Sequence, residues 1–355
     1  IYHMIPRNNW TYDTVYDEYD HTVDMFDATK TFSVYTSTGN VYKCIHNNGG
    51  AVSTYEPDHT QSQILTYSDG YRWKFICKVT EDSEDFKTDS YIPVSVALDN
   101  STSVINQWNT QQSAVNGAID YVDVTLPASA FTAAQWIKSS TDNKEIGANA
   151  VVDDLILKLN GADNQDTTDY YKGYVIYISS GDGVGQRRVI TGYNQSDNEV
   201  SFTDPLTSAV NVSASGVQGS KYQILPNLVI DGDGVSAEAI PTLNTAYNIT
   251  SVTMINSGTD YTIAEISPYP TGVFGGEIGT NDIEGPTFSA IIPPTGGHGK
   301  NVLSELGGSR VMVRTSVSGD DTNFGTAQQF RQATIVKNPL LSGGTNDGNI
   351  AGSEI

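Results

Sequence analysis

The sequence predicts a mainly β fold, an antiparallel β-sandwich or set of stacked sheets with a few short helices and a large β-rich insertion. Composition points there first: only 17% of residues are charged, while Gly, Tyr, Thr, Ser and Asn are abundant, a balance that favours strands and turns over long helices. Residues 71–79 then alternate with period two, the signature of a half-buried strand. Finally, short apolar runs elsewhere are separated by Gly, Asp and Asn turns, without a long helical period and without a fixed repeat.

Taken in order, residues 31–36 and 40–45 flank Ser37-Thr38-Gly39 and read as a hairpin with a short Gly-containing loop. In the run that follows, Tyr71, Trp73, Phe75, Cys77 and Val79 share one face. Arg72, Lys74 and Lys78 share the other, with Ile76 as the apolar exception. Trp73 is therefore expected in a core and Lys74 in solvent. Residues 81–85 are an acidic, solvated turn. A short helix is predicted over 127–137, which starts with Pro127 and contains Phe131 and Trp136. Strands are predicted over 174–178, 187–191, 199–202 and 222–225, then a hairpin of 249–255 and 261–266 around Asn256-Ser257-Gly258. Residues 301–306 end at Gly307-Gly308, as a helix with a glycine C-cap does.

A chain of 355 residues is long enough for two or three domains with a sizeable core. Its 41 acidic side chains against 19 basic ones give a formal charge of -22, which repels phosphate backbones and anionic lipid heads. Nucleic acid and membranes are thus not expected as partners. No apolar run approaches the ~18 residues of a membrane span, and no charged-then-apolar leader is seen. Because the chain begins with Ile1, further residues are expected before it. The two cysteines, Cys44 and Cys77, fall in strand-like segments and are expected as buried free thiols.

Motifs that carry chemistry are sparse. Gly181-Asp182-Gly183-Val184-Gly185-Gln186 lacks the third glycine of a dinucleotide loop and leads into a strand, so a tight hairpin is predicted. Asp231-Gly232-Asp233-Gly234 fails as an EF-hand, with Ser236 where Gly belongs and Thr242 where Glu is required. An Asx-Gly turn is expected, and a looser cation site would use Asp231, Asp233 and Glu238. His3, His21, His46, His59 and His298 show no metal-ligand spacing, and no Gly-x-Ser-x-Gly elbow occurs. Asp17, Glu18 and Asp20, beside Tyr16 and Tyr19, imitate a sugar site in composition only, since glycosidase carboxylates must face each other across a cleft. No catalytic residue, cofactor or metal is expected.

Five stretches stand apart: Ile5-Pro6-Arg7-Asn8-Asn9-Trp10, Asn40-Val41-Tyr42-Lys43-Cys44-Ile45, Ser68-Asp69-Gly70-Tyr71-Arg72-Trp73, Tyr91-Ile92-Pro93-Val94, and Phe330-Arg331-Gln332-Ala333-Thr334-Ile335-Val336 with Lys337-Asn338-Pro339-Leu340. In the first, Pro6 fixes φ, Arg7 forks onto a carboxylate or a row of carbonyls, and Trp10 supplies apolar surface with one N–H to satisfy. Those three either pin an entering segment onto a sheet or anchor an interface. In order and character the five stretches resemble the baseplate wedge protein of T-even-type contractile-tailed phages, the subunit that sits as a dimer in each wedge. Residues 293–299 and 305–308 are similar to a segment of its longer members.

The resemblance covers residues 1–97 and 326–341 and implies a family core of 1–97 plus 326–355. Residues 98–325 would be the insertion, with a further break near 240. It also implies a non-enzymatic structural subunit of the virion tail, assembled in the host cytoplasm, with partners limited to itself as a homodimer and other wedge subunits. Pro6, Arg7, Trp10, Asp69, Gly70, Trp73, Arg331 and Pro339 are its expected structural or interface residues. The alternative expectation is a carbohydrate- or receptor-binding tail component, drawn from 20 Tyr and the unexplained insertion.

Overall fold

The computed structural model describes residues 1–125, 144–145, 151–153, 155–207, 210, 220–243, 249–269, 286–316 and 331–337. With 42% strand against 9% helix, the chain is mainly β, in several antiparallel sheets. It divides into two compact units, one of Ile1–Gly117 with Pro293–Ile355 and one of Ala118–Ile292. The sequence reading had placed the divisions at 97/98 and 325/326. Of the residues between these limits, 98–117 and 293–316 are described, and they join the first unit through the packing of helix Ile105–Ser113 on strand Arg72–Lys78 and the pairing of strand Arg310–Ser316 with strand Tyr2–Pro6.

The first unit opens with β1 (Tyr2–Pro6), β2 (Ser33–Tyr35), β3 (Asn40–His46), β4 (Ile64–Thr66), β5 (Arg72–Lys78) and β6 (Tyr91–Val94), followed by helix α1 (Ile105–Ser113). The second unit contains β7 (Tyr121–Thr125), β8 (Lys144–Glu145), β9 (Val151–Asp153), β10 (Ile156–Lys158), β11 (Val175–Ser180), β12 (Arg187–Asn194) and β13 (Glu199–Phe202). It continues with β14 (Lys221–Leu225), β15 (Asn227–Gly232), β16 (Val235–Leu243), β17 (Ile249–Thr259), β18 (Ala264–Tyr269) and β19 (Thr287–Ile291). The chain then returns to the first unit with α2 (Val302–Glu305), β20 (Arg310–Ser316) and β21 (Arg331–Lys337).

Two four-stranded sheets make the first unit, in the orders β21-β20-β1-β6 and β2-β3-β5-β4. They share a core of Ile5, Val41, Ile76, Cys77, Ile92 and Val94, closed by Val302 and Leu306 of the α2 region. The far face of β2-β3-β5-β4 carries an aromatic core of Tyr16, Tyr42, Tyr71, Trp73 and Phe75, with Trp10 packed on its edge. The predicted hairpin of β2 and β3 is present in antiparallel register.

The strand predicted over 71–79 forms, but its faces differ from the expectation. Val41 pairs with Cys77 and Tyr42 with Phe75, so Ile76 is an extra residue that breaks the alternation. Tyr71, Trp73 and Phe75 therefore enter one core, while Ile76, Cys77 and Val79 enter the other. Lys74 is buried rather than solvated, and its ammonium donates to the Ser62 carbonyl. The sheet is covered on both sides, and one cover is α1, which the sequence reading did not foresee. Its buried side chains are Gln107, Thr110 and Gln111, so it shows no apolar stripe. It docks by amides instead: Gln111 exchanges hydrogen bonds with Ala97 N and O at 2.9 and 3.1 Å.

In the second unit, a seven-stranded sheet has the order β8-β14-β11-β12-β13-β10-β9, and a six-stranded one β17-β16-β15-β18-β19-β7. The chain changes sheet at Pro226, between β14 and β15, where a residue without an N–H ends one ladder and starts the next. The break had been expected near 240, which lies inside β16. The predicted strands at 174–178, 187–191, 199–202 and 222–225 appear as β11 to β14 within a few residues. The helix predicted over 127–137 lies outside the described residues.

The hairpin expected around Asn256-Ser257-Gly258 is not there, for β17 runs through these residues and pairs with β16. Gly258 has φ +65°, and a Cβ on it would sit 2.6 Å from the Val235 carbonyl oxygen. This glycine serves a close backbone approach within a ladder, not a reversal.

Candidate functional site

Six of the eight residues singled out by sequence, Pro6, Arg7, Trp10, Asp69, Gly70 and Trp73, lie along one run of contacts in the first unit, from the end of β1 to the aromatic core. Strand β1 ends at Pro6, opposite Tyr91 of β6. Arg7 then spans two sheets. Its N–H donates to the Ser90 carbonyl at 2.9 Å and its Nη1 to the Thr88 carbonyl at 2.9 Å, while the guanidinium lies 5.6 Å from the Tyr35 ring centroid. Trp10 N donates to the Tyr35 carbonyl at 2.9 Å. Of the two roles left open for this motif, its described contacts are those of the internal pin.

From Trp10 the bonds run on. Its Nε1 donates to Ser53 Oγ at 3.1 Å, and Ser53 Oγ donates to Asp69 Oδ2 at 3.3 Å. Asp69 also accepts from Thr54 N at 2.8 Å, Tyr55 N at 3.2 Å and Tyr71 N at 3.1 Å, so one carboxylate fixes both sides of the loop it closes. Gly70 follows with φ +84°, and a Cβ there would lie 2.5 Å from Asn48 Cγ. Trp73 is fully buried, 5.5 Å from the Tyr71 ring in a stacked pair and 5.7 Å from Tyr16 edge-on. Arg331 opens β21, beside β20; Pro339 lies outside the described residues.

A second cluster escaped the sequence reading. Lys43 of β3, wholly buried, donates to His298 Nδ1 at 3.1 Å and Glu305 Oε2 at 3.3 Å, and its ammonium lies 3.6 Å from the Tyr19 ring centroid. Glu305 Oε1 accepts from Gly299 N at 2.7 Å and Asn301 N at 3.3 Å. Burial pushes the Lys43 ammonium down to about 8, against the pull of Glu305. Burial also pushes the Glu305 carboxyl up, but Lys43, His298 and the Gly299 N–H outweigh it and leave it below its ordinary value. Burial, then Glu305 and Asp20, push the Tyr19 hydroxyl up to about 12. The one signal in the sequence was Lys43 itself, a charge in the otherwise apolar run Val41-Tyr42-Lys43-Cys44-Ile45.

This cluster is sealed and its polar atoms are mutually paired, an arrangement suited to holding the 298–305 segment on β3. The acids imagined as a sugar site are held apart by local partners. Asp17 accepts from Lys30 and Thr31, Glu18 lies against His46 and accepts from Asn47 N, and Asp20 accepts from Thr22. Burial pushes the Glu18 carboxyl up, and the His46 hydrogen bond and Asn47 N–H bring it below its ordinary value.

Gly181 to Gln186 turns between β11 and β12, with positive φ at Gly181, Gly183 and Gly185 as a tight reversal requires. Asp233 sits in the β15–β16 turn and accepts from Thr262 N at 2.8 Å and Ile263 N at 3.0 Å, so its oxygens brace a neighbouring turn. Among the described residues no group of His, Cys, Asp and Glu is placed to hold a metal ion. Cys44 and Cys77 are free and buried, in different cores. Compared with known proteins, the chain matches no family model, no curated protein and no solved structure.

Proposed function

We propose that this chain is a non-enzymatic structural subunit of the tail-baseplate wedge of a contractile-tailed phage, assembled in the host cytoplasm as a homodimer that grips neighbouring wedge subunits. One observation carries the reading. The stretches that resemble the wedge family, though separated by more than half of the sequence, fold into a single unit: 5–6, 91–94 and 331–337 in the sheet β21-β20-β1-β6, and 40–45 with 72–73 in β2-β3-β5-β4. A chance likeness of short motifs gives no reason for the two ends to share a sheet. Among the described residues of these stretches, Ile5, Arg7, Val41, Trp73, Ile92 and Val94 pack or hydrogen-bond within that unit, as suits a part that bears load through shape.

The alternative, a carbohydrate- or receptor-binding component, requires aromatic side chains open to a ligand. In the insertion, Tyr171, Tyr174, Tyr193, Tyr222 and Tyr261 are buried in cores, and the large exposed apolar side chains described there, such as Val184 and Ile263, are aliphatic. That distribution favours the structural reading. Quantitative mass spectrometry of purified tails tests it. The chain should co-purify with the baseplate in a fixed ratio to the other wedge proteins; its absence from intact tails would refute the proposal.

A further inference from the structure

We propose that Lys43 and Glu305 condense into an isopeptide bond, a cross-link the chain makes by itself between β3 and α2, with His298 as the proton carrier. The three parts that amide formation needs are assembled around one carboxyl group. The nucleophile is Lys43, whose Nζ lies 3.3 Å from Glu305 Oε2, with the two side chains 0% and 1% exposed. The base is His298. Its Nδ1 lies 3.1 Å from Lys43 Nζ and 3.8 Å from Glu305 Oε2, so it faces both the nitrogen that must lose protons and the oxygen that must gain one. The backbone N–H groups of Gly299 and Asn301, 2.7 and 3.3 Å from Oε1, are placed to hold the negative charge that develops there. Gly299 has φ +89°, and a Cβ on it would run into Thr110 Cγ2, so a glycine is required where that donor meets the carboxyl.

The step balances without any outside reactant. One proton passes from the ammonium to the carboxylate, leaving an amine beside a carboxylic acid. The Nζ lone pair then attacks Cδ, and the carbonyl electrons move onto Oε1 between the two N–H groups. His298 takes a proton from the nitrogen and hands it to Oε2, the Cδ–Oε2 bond breaks, and Oε2 leaves as water. An ammonium and a carboxylate are consumed, one amide and one water are formed, and His298 ends as it began. Fixed placement of the two groups is worth an effective concentration of roughly 10⁵–10⁸ M. A neutral amide also replaces two charges whose burial is costly, in a site sealed from the water that would reverse the reaction. Burial favours the free amine of Lys43, whereas Glu305 is held ionised, so the acid form is scarce and the step is slow. The ion pair is the state before the step and the amide the state after it, and the titration of the pair belongs to the unlinked chain. The reaction runs once per chain and stands apart from the wedge reading. Its product would tie together residues 262 apart in sequence within the first unit.

The test is mass spectrometry of the full chain after prolonged incubation at neutral pH, first intact and denatured, then digested with trypsin. The chain should be lighter by one water, and the digest should contain a branched peptide joining 31–72, uncut at Lys43, to 301–310. Lys43→Arg, which keeps the charge, should lose no water, and His298→Gln should form the link about a hundredfold more slowly. If either variant fails to fold, the branched peptide of the wild type still decides. An aged wild type of full mass that releases 31–43 and 44–72 separately would overturn the proposal. So would a water lost instead at an Asp-Gly pair such as Asp69-Gly70, which the same digest locates. Linkage as fast in His298→Gln as in the wild type would overturn the assignment of the proton carrier.

Discussion

Trp73 is fully buried in a core that includes Tyr16 and Tyr71, and Trp73→Ala is expected to cost about 3–5 kcal/mol, the toll of a large-to-small change in a closed core. Its place was legible because neighbours two apart in sequence share its face. Lys74 was not: the same alternation put it in solvent, yet α1 and the 294–300 loop cover that side. Chemical denaturation of Trp73→Ala and Lys74→Ala should show both midpoints lowered, where a solvated Lys74 would leave its own unchanged. The Lys43–Glu305 pair was illegible for another reason, since its members stand 262 residues apart and only the fold brings them together. Removing one partner, as in Lys43→Met, should cost about 3–5 kcal/mol, whereas Lys43→Met/Glu305→Leu should recover most of it, because the double change leaves no orphaned charge.

The pH dependence of that pair follows from its shifts. Glu305 titrates below its ordinary value when folded, so its contribution is present above about pH 4.5 and is lost as pH falls through the folded value. Lys43 is displaced from 10.5 to about 8, so the unfolded chain holds more protons in that window and stability rises with pH across it. The difference in melting temperature between wild type and the double variant, followed against pH, should show both slopes. A difference flat in pH would contradict the buried ion pair. For the thiols, burial pushes both Cys44 and Cys77 upward, and labelling should be slow until denaturant is added. Rapid labelling of the native chain would show that the strands are misassigned.

At the scale of elements, what the sequence disclosed were strands marked by flanking turn residues, such as β3, itself buried on both faces, and the hairpin of β11 and β12. It misjudged elements whose signals are set by neighbours. The bulge at Ile76 depends on the register of β3, and α1 is held by glutamine hydrogen bonds to backbone, which leave no periodic trace. The insertion enters by β7 and leaves by β19, and these strands pair with Tyr121 opposite Ile291. Paired residues of an antiparallel ladder lie only about 5 Å apart, so the insertion has a narrow neck. Replacing 119–291 by a short Gly-Ser linker should therefore leave the first unit folded, with the Trp73 fluorescence environment kept and a cooperative melt. Loss of cooperative unfolding would show that the first unit depends on the insertion.

For the molecule as a whole, the formal charge of -22 sets copies of the chain against one another, and in the proposed wedge role specific patches would have to override that repulsion at assembly. Domain order was legible, because the resembling stretches occupy the two ends and those ends fold together. The limits of the insertion were not, since residues 98–117 and 293–316 carry no composition that ties them to distant strands. A homodimer would present one self-complementary patch twice, letting two neighbours be gripped at once. The most direct test of the proposed wedge role is a cryo-electron microscopy map of a contractile tail purified from the source of this chain. The account predicts the fold of 1–117 and 293–316 in the baseplate, as pairs of copies related by a twofold axis and contacting other wedge proteins; copies that are strictly single, or located away from the baseplate, would contradict it.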